Sequence, residues 1–155
     1  MDDSERVTAA VMIIGDEILS GRTQDTNLRD IARYLATYGV DLAEARVVPD
    51  DETEIVETLN HLRARWDYVI TTGGIGPTHD DITADCVARA FGVALYEHLE
   101  IIAMMESRWK TELNAARRRM ALISGCSYSA TPKALATQSA VMSSCVGPIP
   151  PVVIT

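Results

Sequence analysis

Apolar runs alternate with amphipathic segments along the first 92 residues of the chain. Val7–Ile14 is an unbroken run of apolar and β-favouring residues, and it predicts a strand buried on both faces. Val40–Val48 and Asp67–Thr72 predict a second and a third strand. Residues 27–38 and 52–66, which separate these strands, carry apolar residues at helical spacing. This order of elements predicts a mostly parallel sheet with right-handed crossovers and helices on both faces.

The predicted helices have recognisable ends. Asp25 and Thr26 are candidate N-caps for the first helix, and Gly39 supplies its stop. Asp50 is the predicted cap of the second helix. The first helix has an apolar stripe that consists of Leu28, Ile31, Leu35 and Tyr38.

The third strand leads through a glycine-rich loop into a third helix, Thr83–Phe91, which Gly92 closes. Beyond it the pattern predicts a short strand at Val93–Tyr96 and a helix at 97–109. The apolar stripe of that helix includes Leu99, Ile102, Met105 and Trp109, with Trp109 as a core anchor. A further helical stretch is predicted for residues 111–122.

Composition narrows the class of protein. The chain has 155 residues, of which 47% are hydrophobic, and this fits one globular domain. Its formal charge of −8 argues against non-specific binding to nucleic acid or to an anionic membrane surface, so a small molecule is the expected partner. No apolar run approaches the roughly 20 residues that span a bilayer, and the acidic start after Met1 does not resemble a signal segment, so we expect a cytoplasmic protein.

The three cysteines, Cys86, Cys126 and Cys145, show no spacing typical of a zinc site or a disulfide framework. Buried reduced thiols are the plain interpretation.

The loop from Gly73 to Thr83 carries the candidate chemistry. Gly73, Gly74 and Gly76 allow the backbone to approach a ligand closely, and the N–H groups at the following helix start favour an anion such as phosphate. Asp80 and Asp81 would repel that phosphate unless a cation lies between them. Because Mg²⁺ prefers hard oxygen ligands and phosphate, we predict a divalent metal at these two carboxylates.

Other candidate residues follow the first two strands. Gly15 and Glu17 lie where the first strand ends, which is where open α/β sheets bind ligands. Asp50 occupies the corresponding place after the second strand, either as a helix cap alone or also as a site residue. Glu17 is a solvated loop residue or lines the site, and Asn27 lines the site or only starts a helix. His79 is read as exposed loop.

Four sequence blocks together resemble one known family. The blocks are Gly15-x-Glu17-Ile18-Leu19-x-Gly21, Asp25-Thr26-Asn27, Asp50-Asp51-Glu52 and Thr72-Gly73-Gly74-Ile75-Gly76-Pro77-Thr78-x-Asp80-Asp81-x-Thr83. They resemble the molybdopterin-binding domain shared by molybdenum cofactor biosynthesis proteins and by the N-terminal domain of competence/damage-inducible protein A. The resemblance covers about residues 7 to 123.

The resemblance implies a three-layer α/β/α sandwich, a homo-oligomer with a trimer favoured, and molybdopterin or a nucleotide-like phosphate ester as ligand. One branch of this family consists of adenylyltransferases. In that branch, residues matching Asp50 and Asp81 position Mg²⁺ and activate a phosphate. The resemblance further implies ligand contacts by the strand-end and loop residues Gly15, Glu17, Asn27, Gly73, Gly74, Gly76, Pro77, Thr78 and Thr83.

Three functions stay open. Asp80 departs from the adenylyltransferase branch, where a basic residue is usual. The Gly76-Pro77-Thr78-x-Asp80-Asp81 form resembles the competence-protein branch, also found in some FAD synthases, and implies metal-dependent hydrolysis of ADP-ribose or FAD. A non-catalytic binding or oligomerisation module is the third alternative.

The composition changes near the C-terminus, so we divide the chain into an α/β domain (residues 1–123) and an atypical tail (residues 124–155). Lys133 is the one charged residue of this tail. The family's usual second glycine-rich loop is not recognisable there. We interpret the tail as completing the domain or appended to it, with a diverged, truncated or out-of-frame terminus.

Overall fold

Strands and helices alternate along the part of the chain that the structure describes. The computed structural model describes residues 6–76, 78, 80–118, 122–124, 141–143 and 152–154. The strands are β1 (Val7–Ile14), β2 (Val40–Val48), β3 (Tyr68–Thr72), β4 (Leu95–Glu97), β5 (Leu122–Ser124), β6 (Val141–Ser143) and β7 (Val152–Ile154). The helices are α1 (Asp16–Leu19), α2 (Asn27–Thr37), α3 (Glu52–Arg63), α4 (Thr83–Phe91), α5 (Leu99–Trp109) and α6 (Ala115–Arg118). No helix within these ranges is long and apolar enough to cross a membrane.

The main sheet has the strand order β2-β1-β3-β7-β6. The pairs β1–β2, β1–β3 and β3–β7 are parallel, whereas β6 pairs antiparallel with β7. Strands β4 and β5 form a separate antiparallel pair. The mostly parallel sheet expected from the alternation of strands and helices is therefore confirmed.

Strand β1 separates two apolar layers, because its successive side chains point to opposite faces of the sheet. Ala10, Met12 and Ile14 pack with buried residues of α3 and α4. Val11 and Ile13 face the other way, and residues of α1 and α2 pack against them. Residues 9–14 of this strand are all buried, as its unbroken apolar run predicts. The result is the predicted three-layer α/β/α sandwich.

The helix starts differ in part from the predictions. The Asp25 carboxylate accepts the Leu28 N–H at 2.9 Å, whereas Thr26, the N-cap position of α2, makes no side-chain cap bond. At α3 the cap is Asp51, whose carboxylate accepts the Glu54 N–H at 3.0 Å. The prediction that Asp50 caps this helix was therefore wrong, because Asp51 directly precedes the first helical residue, Glu52, and the Asp50 carboxylate instead accepts the Asp16 N–H.

The helix predicted for residues 111–122 was wrong for residues 111–114 and for Leu122. The described part of this stretch contains one helical turn, α6, followed by β5, which pairs with β4. Arg118 ties that turn to its surroundings through ion pairs with Glu97 at 3.0 Å and Glu106 at 3.9 Å. At Leu122 the cross-strand pairing with Glu97 of β4 outweighs the helical pattern.

Three residues assigned to apolar stripes are exposed instead. The exposed fractions are 68% for Tyr38, 74% for Leu99 and 42% for Trp109, so Trp109 is not a core anchor. Each lies at or just beyond a helix end, where the helix has passed the core. The Arg117 guanidinium stacks over the Trp109 ring at 5.3 Å and partly replaces the missing core contact.

Cys86 is a buried free thiol in α4, as predicted. Burial, helped by the nearby Asp85 carboxylate, raises the pKa of this thiol to about 11. The group therefore stays protonated near neutral pH and behaves as a small apolar core residue. Cys126 and Cys145 lie outside the described residues.

Asp67 joins β1 to β3 at the edge of the sheet opposite the strand-end loops. Its carboxylate accepts the Thr8 backbone N–H at 2.8 Å and the Thr8 hydroxyl at 2.7 Å. These hydrogen bonds hold the pKa of Asp67 below its ordinary value of 3.8.

We expect Asp67→Ala to lower the free energy of unfolding by about 1 kcal/mol at neutral pH, because two hydrogen bonds to a charged, exposed group are lost. A group whose pKa is depressed on folding stabilises the protein above its unfolded-state pKa, and this contribution is lost as the pH falls through the folded-state value. Urea unfolding should therefore show that the wild type has a higher free energy of unfolding than Asp67→Ala. This difference should be constant above about pH 5 and shrink below about pH 4.

Asp41→Asn is the control for this prediction, since Asp41 is also exposed at this edge and makes one ion pair, with Arg6 at 3.4 Å. It should change stability by a few tenths of a kcal/mol, roughly the value of a surface pair. A difference in the free energy of unfolding between the wild type and Asp67→Ala that does not vary between pH 3 and pH 7 would contradict the assignment.

Candidate functional site

The loops that follow β1, β2 and β3 leave the sheet at the same edge, because these three strands are adjacent and parallel. The Gly15 N–H donates to the Val48 carbonyl at 3.1 Å and thus joins the end of β1 to the end of β2. Gly15 is buried at this junction. The edge is where ligands bind in open α/β sheets.

Asp50 reaches from the loop after β2 to the loop after β1. Its Oδ2 accepts the backbone N–H of Asp16 at 3.0 Å. Glu17 belongs to the same turn, and its carboxylate folds back over Gly15, since a Cβ at Gly15 would lie 2.6 Å from Glu17 Oε1. The two loops therefore place the side chains of Asp50 and Glu17 at one end of the sheet.

The loop after β3 packs tightly against the end of β1. A Cβ built on Gly73 would lie 1.9 Å from the Ile14 carbonyl oxygen, so a side chain has no room here. Gly73 also has a φ of +97°, which favours glycine. Asn27, at the start of α2, donates from Nδ2 to Thr72 Oγ1 at 2.9 Å. Asn27 and the glycine turn are therefore neighbours, although 45 residues separate Asn27 from Thr72.

The second half of this loop folds back on itself around Asp81. The Thr78 N–H donates to Asp81 Oδ2 at 2.8 Å, and the Thr78 hydroxyl donates to the same oxygen. A Cβ at Gly76 would lie 2.6 Å from that oxygen, so glycine lets the carboxylate come close. Asp80 is exposed beside it. Pro77 and His79, which the sequence also singled out, lie outside the described residues.

The structure thus brings the described candidates onto one edge but gives Asp50 and Asp81 different partners. Asp50 is held by the loop after β1, and Asp81 by Thr78 of its own loop. The sequence did not indicate that Asp16 would supply the amide that holds Asp50. No sequence signal could have found this contact, since a backbone donor needs no particular side chain and its position follows from the β1–β2 register.

The site is rich in carboxylates, yet it does not form a prebuilt metal cage in the described part of the chain. No group of three or more His, Cys, Asp or Glu side chains is placed there to hold a metal ion. Carboxylate oxygens are nevertheless the ligands that Mg²⁺ prefers, and Mg²⁺ commonly takes only one or two of them and completes its shell with water and substrate phosphate. The residues therefore fit a cation that arrives with a phosphate ligand.

The fold and this edge define an α/β/α protein in which the loops after three adjacent parallel strands converge on one edge of the sheet. The chain belongs to the family described as the probable molybdopterin binding domain, whose model matches residues 10–149. This confirms the family that the four sequence blocks indicate.

Two relatives show how far this similarity extends. A CinA-like protein of Citrifermentans bemidjiense is 46% identical over 121 residues, which are 76% of this chain and 29% of that protein. A probable FAD synthase of Caenorhabditis briggsae is 44% identical over 101 residues, which are 65% of this chain and 19% of that protein. The chain thus spans less than a third of the length of these curated relatives.

Solved structures agree with the fold. The protein CinA from Thermoplasma acidophilum, whose function is given as unknown, matches with a TM-score of 0.79 and 30% identity over 96% of this chain and 87% of that chain. The tungsten cofactor synthesizing protein MoaB from Pyrococcus furiosus matches with a TM-score of 0.62 and 20% identity over 97% and 81% of the two chains. The second likeness supports the fold alone.

Proposed function

We propose that this chain binds a molybdopterin-type pterin through its phosphate at the Gly73–Thr83 loop, together with a divalent cation such as Mg²⁺. One observation carries the proposal: the loops after three adjacent parallel strands are joined at one edge of the sheet. The bonds that join them are Gly15 to Val48, Asp16 to Asp50 and Asn27 to Thr72. Such a junction gives a ligand several loops to contact at once.

The loop supplies donors for the phosphate. Helix α4 has nine residues and begins at Thr83, so its first N–H groups lie at the end of the glycine turn. The positive end of the helix dipole favours an anion at such a place. Gly73 and Gly74 let the turn pack closely against the end of β1 and against Thr83, where a side chain would have no room.

The carboxylates set the requirement for a cation. We propose that Asp80 and Asp81 share the cation with the ligand phosphate, and that Asp50 faces the same ligand from the loop after β2. When bound, the cation would neutralise charge on the phosphate. The contribution of the chain is to hold these carboxylates in place, Asp50 by the Asp16 amide and Asp81 by Thr78. Gly15, Glu17 and Asn27 would contact the rest of the ligand.

A metal-dependent nucleotide pyrophosphatase, acting on ADP-ribose or FAD, is the second candidate. The adjacent pair Asp80 and Asp81 favours it over an adenylyltransferase, because a basic residue is usual at the position of Asp80 in that branch of the family. Attack at phosphorus needs the same positioned carboxylates and donors in either case. A homo-oligomer with a trimer favoured stays a prediction from the resemblance. A non-catalytic binding or oligomerisation module stays the third alternative.

Titration with molybdopterin and hydrolysis assays with ADP-ribose and FAD, each with Mg²⁺ or Co²⁺ and again after EDTA treatment, test the proposal. We expect metal-dependent pterin binding, with the affinity falling at least about tenfold on chelation because the carboxylates then repel the phosphate. Hydrolysis that Asp81→Ala abolishes would favour the pyrophosphatase instead. If the protein neither binds the pterin nor hydrolyses ADP-ribose or FAD, the non-catalytic module is the remaining alternative.

A further inference from the structure

Thr83 contacts Gly73 and Gly74 of the turn although it is the first residue of the following helix. Its hydroxyl donates to the Gly73 carbonyl at 2.8 Å, and its backbone N–H donates to the Gly74 carbonyl at 3.2 Å. The side chain is fully buried, with an exposed fraction of 0%. Two successive peptide carbonyls are therefore turned toward one residue.

This arrangement fixes the direction of two amide groups. In a planar trans peptide the N–H points opposite to the preceding C=O. Because the carbonyls of Gly73 and Gly74 point to Thr83, the N–H groups of Gly74 and Ile75 point away from it. Neither of these amides donates a hydrogen bond to another described residue. They form a pair of neighbouring donors on the outer side of the turn.

The Thr83 hydroxyl forms its hydrogen bond with the loop and does not cap its own helix. Threonine usually stabilises a helix from the N-cap position, where its oxygen accepts a backbone N–H. Here the N-cap of α4 is Ile82, and no side chain caps the helix. A Cβ on Gly74 would lie 2.5 Å from Thr83 Oγ1, so the hydroxyl occupies the space that any larger residue at position 74 would need.

We propose that Thr83 is a positioning residue, whose hydroxyl aims the amides of Gly74 and Ile75 at the ligand phosphate instead of contacting the ligand itself. The proposal rests on the phosphate-binding function proposed above and deepens it. The resemblance implies that Thr83 contacts the ligand directly, and we propose this positioning role in its place. A fully buried side chain that donates to Gly73 has no surface left for a ligand. The phosphate would accept hydrogen bonds from two backbone amides.

The test compares Thr83→Val, which keeps the shape but loses the hydroxyl, with Thr83→Ser, which keeps the hydroxyl. Thr58→Val is the matched control, since Thr58 is a buried threonine in α3. The probes are molybdopterin, its dephosphorylated form and ADP-ribose. We expect Thr83→Val to weaken binding of the phosphorylated probes about tenfold, because hydrogen bonds to a charged group are misaligned, and to leave the dephosphorylated form unaffected. Thr83→Ser and Thr58→Val should bind like the wild type.

Equal weakening of the phosphorylated and dephosphorylated probes would overturn the proposal, and so would a Thr83→Ser variant that fails like Thr83→Val. A second measurement does not depend on the folding of any variant. In ¹⁵N-labelled wild-type protein, the amide signals of Gly74 and Ile75 should shift on addition of the phosphorylated probe, and unchanged signals would also overturn the proposal. A wild type that binds none of the phosphorylated probes would instead refute the proposed function, and the role of Thr83 with it.

Discussion

Gly73→Ala is expected to lower the free energy of unfolding by about 3 kcal/mol, with loss of ligand binding in the fraction that stays folded. Two causes add up. The φ of +97° is unfavourable for any residue with a Cβ, and that Cβ would overlap the Ile14 carbonyl oxygen at 1.9 Å. The overlap is with backbone, which no side-chain rotation can relieve. Urea unfolding followed by circular dichroism measures the change in stability.

Gly39→Ala separates the two causes. Gly39 has a φ of +72° at the end of α2, and a Cβ there would meet nothing within 4 Å. Its replacement should therefore show the backbone strain alone, about 1 kcal/mol. If the two variants were equally stable, the close approach of Gly73 to β1 would be refuted as a determinant of the fold.

The central part of the fold could be predicted because its sequence signals are local and redundant. Strand β1 is apolar at every buried position, so its parallel, two-faced environment could be predicted without knowledge of its neighbours. The bounds of β2 and α4 follow from Pro49 and from Gly92, whose φ of +65° stops the helix. These residues leave the backbone few alternatives.

The region after Gly92 was predicted less well because it depends on contacts between distant residues. The pattern of residues 111–122 is compatible with a helix, but pairing of β5 with β4 determines the outcome at its end. Leu99 and Trp109 match a helical period, yet a period gives no information on where the core ends. Only the packing of α5 decides which residues of the stripe are covered.

Some features of the candidate site could likewise be predicted from the sequence, and others could not. The glycines of the loop could be identified from sequence, since few other reasons place three of them between a strand and a helix. The partner of each polar side chain could not, because Asn27 meets Thr72 and Asp50 meets the Asp16 amide across the sheet edge. Such contacts depend on the strand register, which a single sequence does not encode locally.

Asp50→Ala and Asp51→Ala are expected to have similar effects on stability, but only Asp50→Ala is expected to impair function. Asp51 caps α3 through the Glu54 N–H at 3.0 Å, so its loss should cost about 1 kcal/mol. Asp50 accepts the Asp16 N–H at 3.0 Å, and loss of this bond should cost about the same. Of these two aspartates, Asp50 is the one that joins the loops of β1 and β2 at the proposed site.

We therefore expect Asp50→Ala to reduce ligand affinity, or kcat/KM if the wild type hydrolyses ADP-ribose or FAD, by about a hundredfold, because a charge directed at the phosphate and cation is lost. Asp51→Ala should keep both quantities within about threefold of the wild type, the usual limit for a change outside a site. Calorimetric titration and steady-state assays on both variants, at a temperature where each is fully folded, measure the difference. Equal functional losses would mean that the order of the α3 start, and not the Asp50 carboxylate, limits the site, since the two residues are adjacent and differ mainly in the backbone amide they hold.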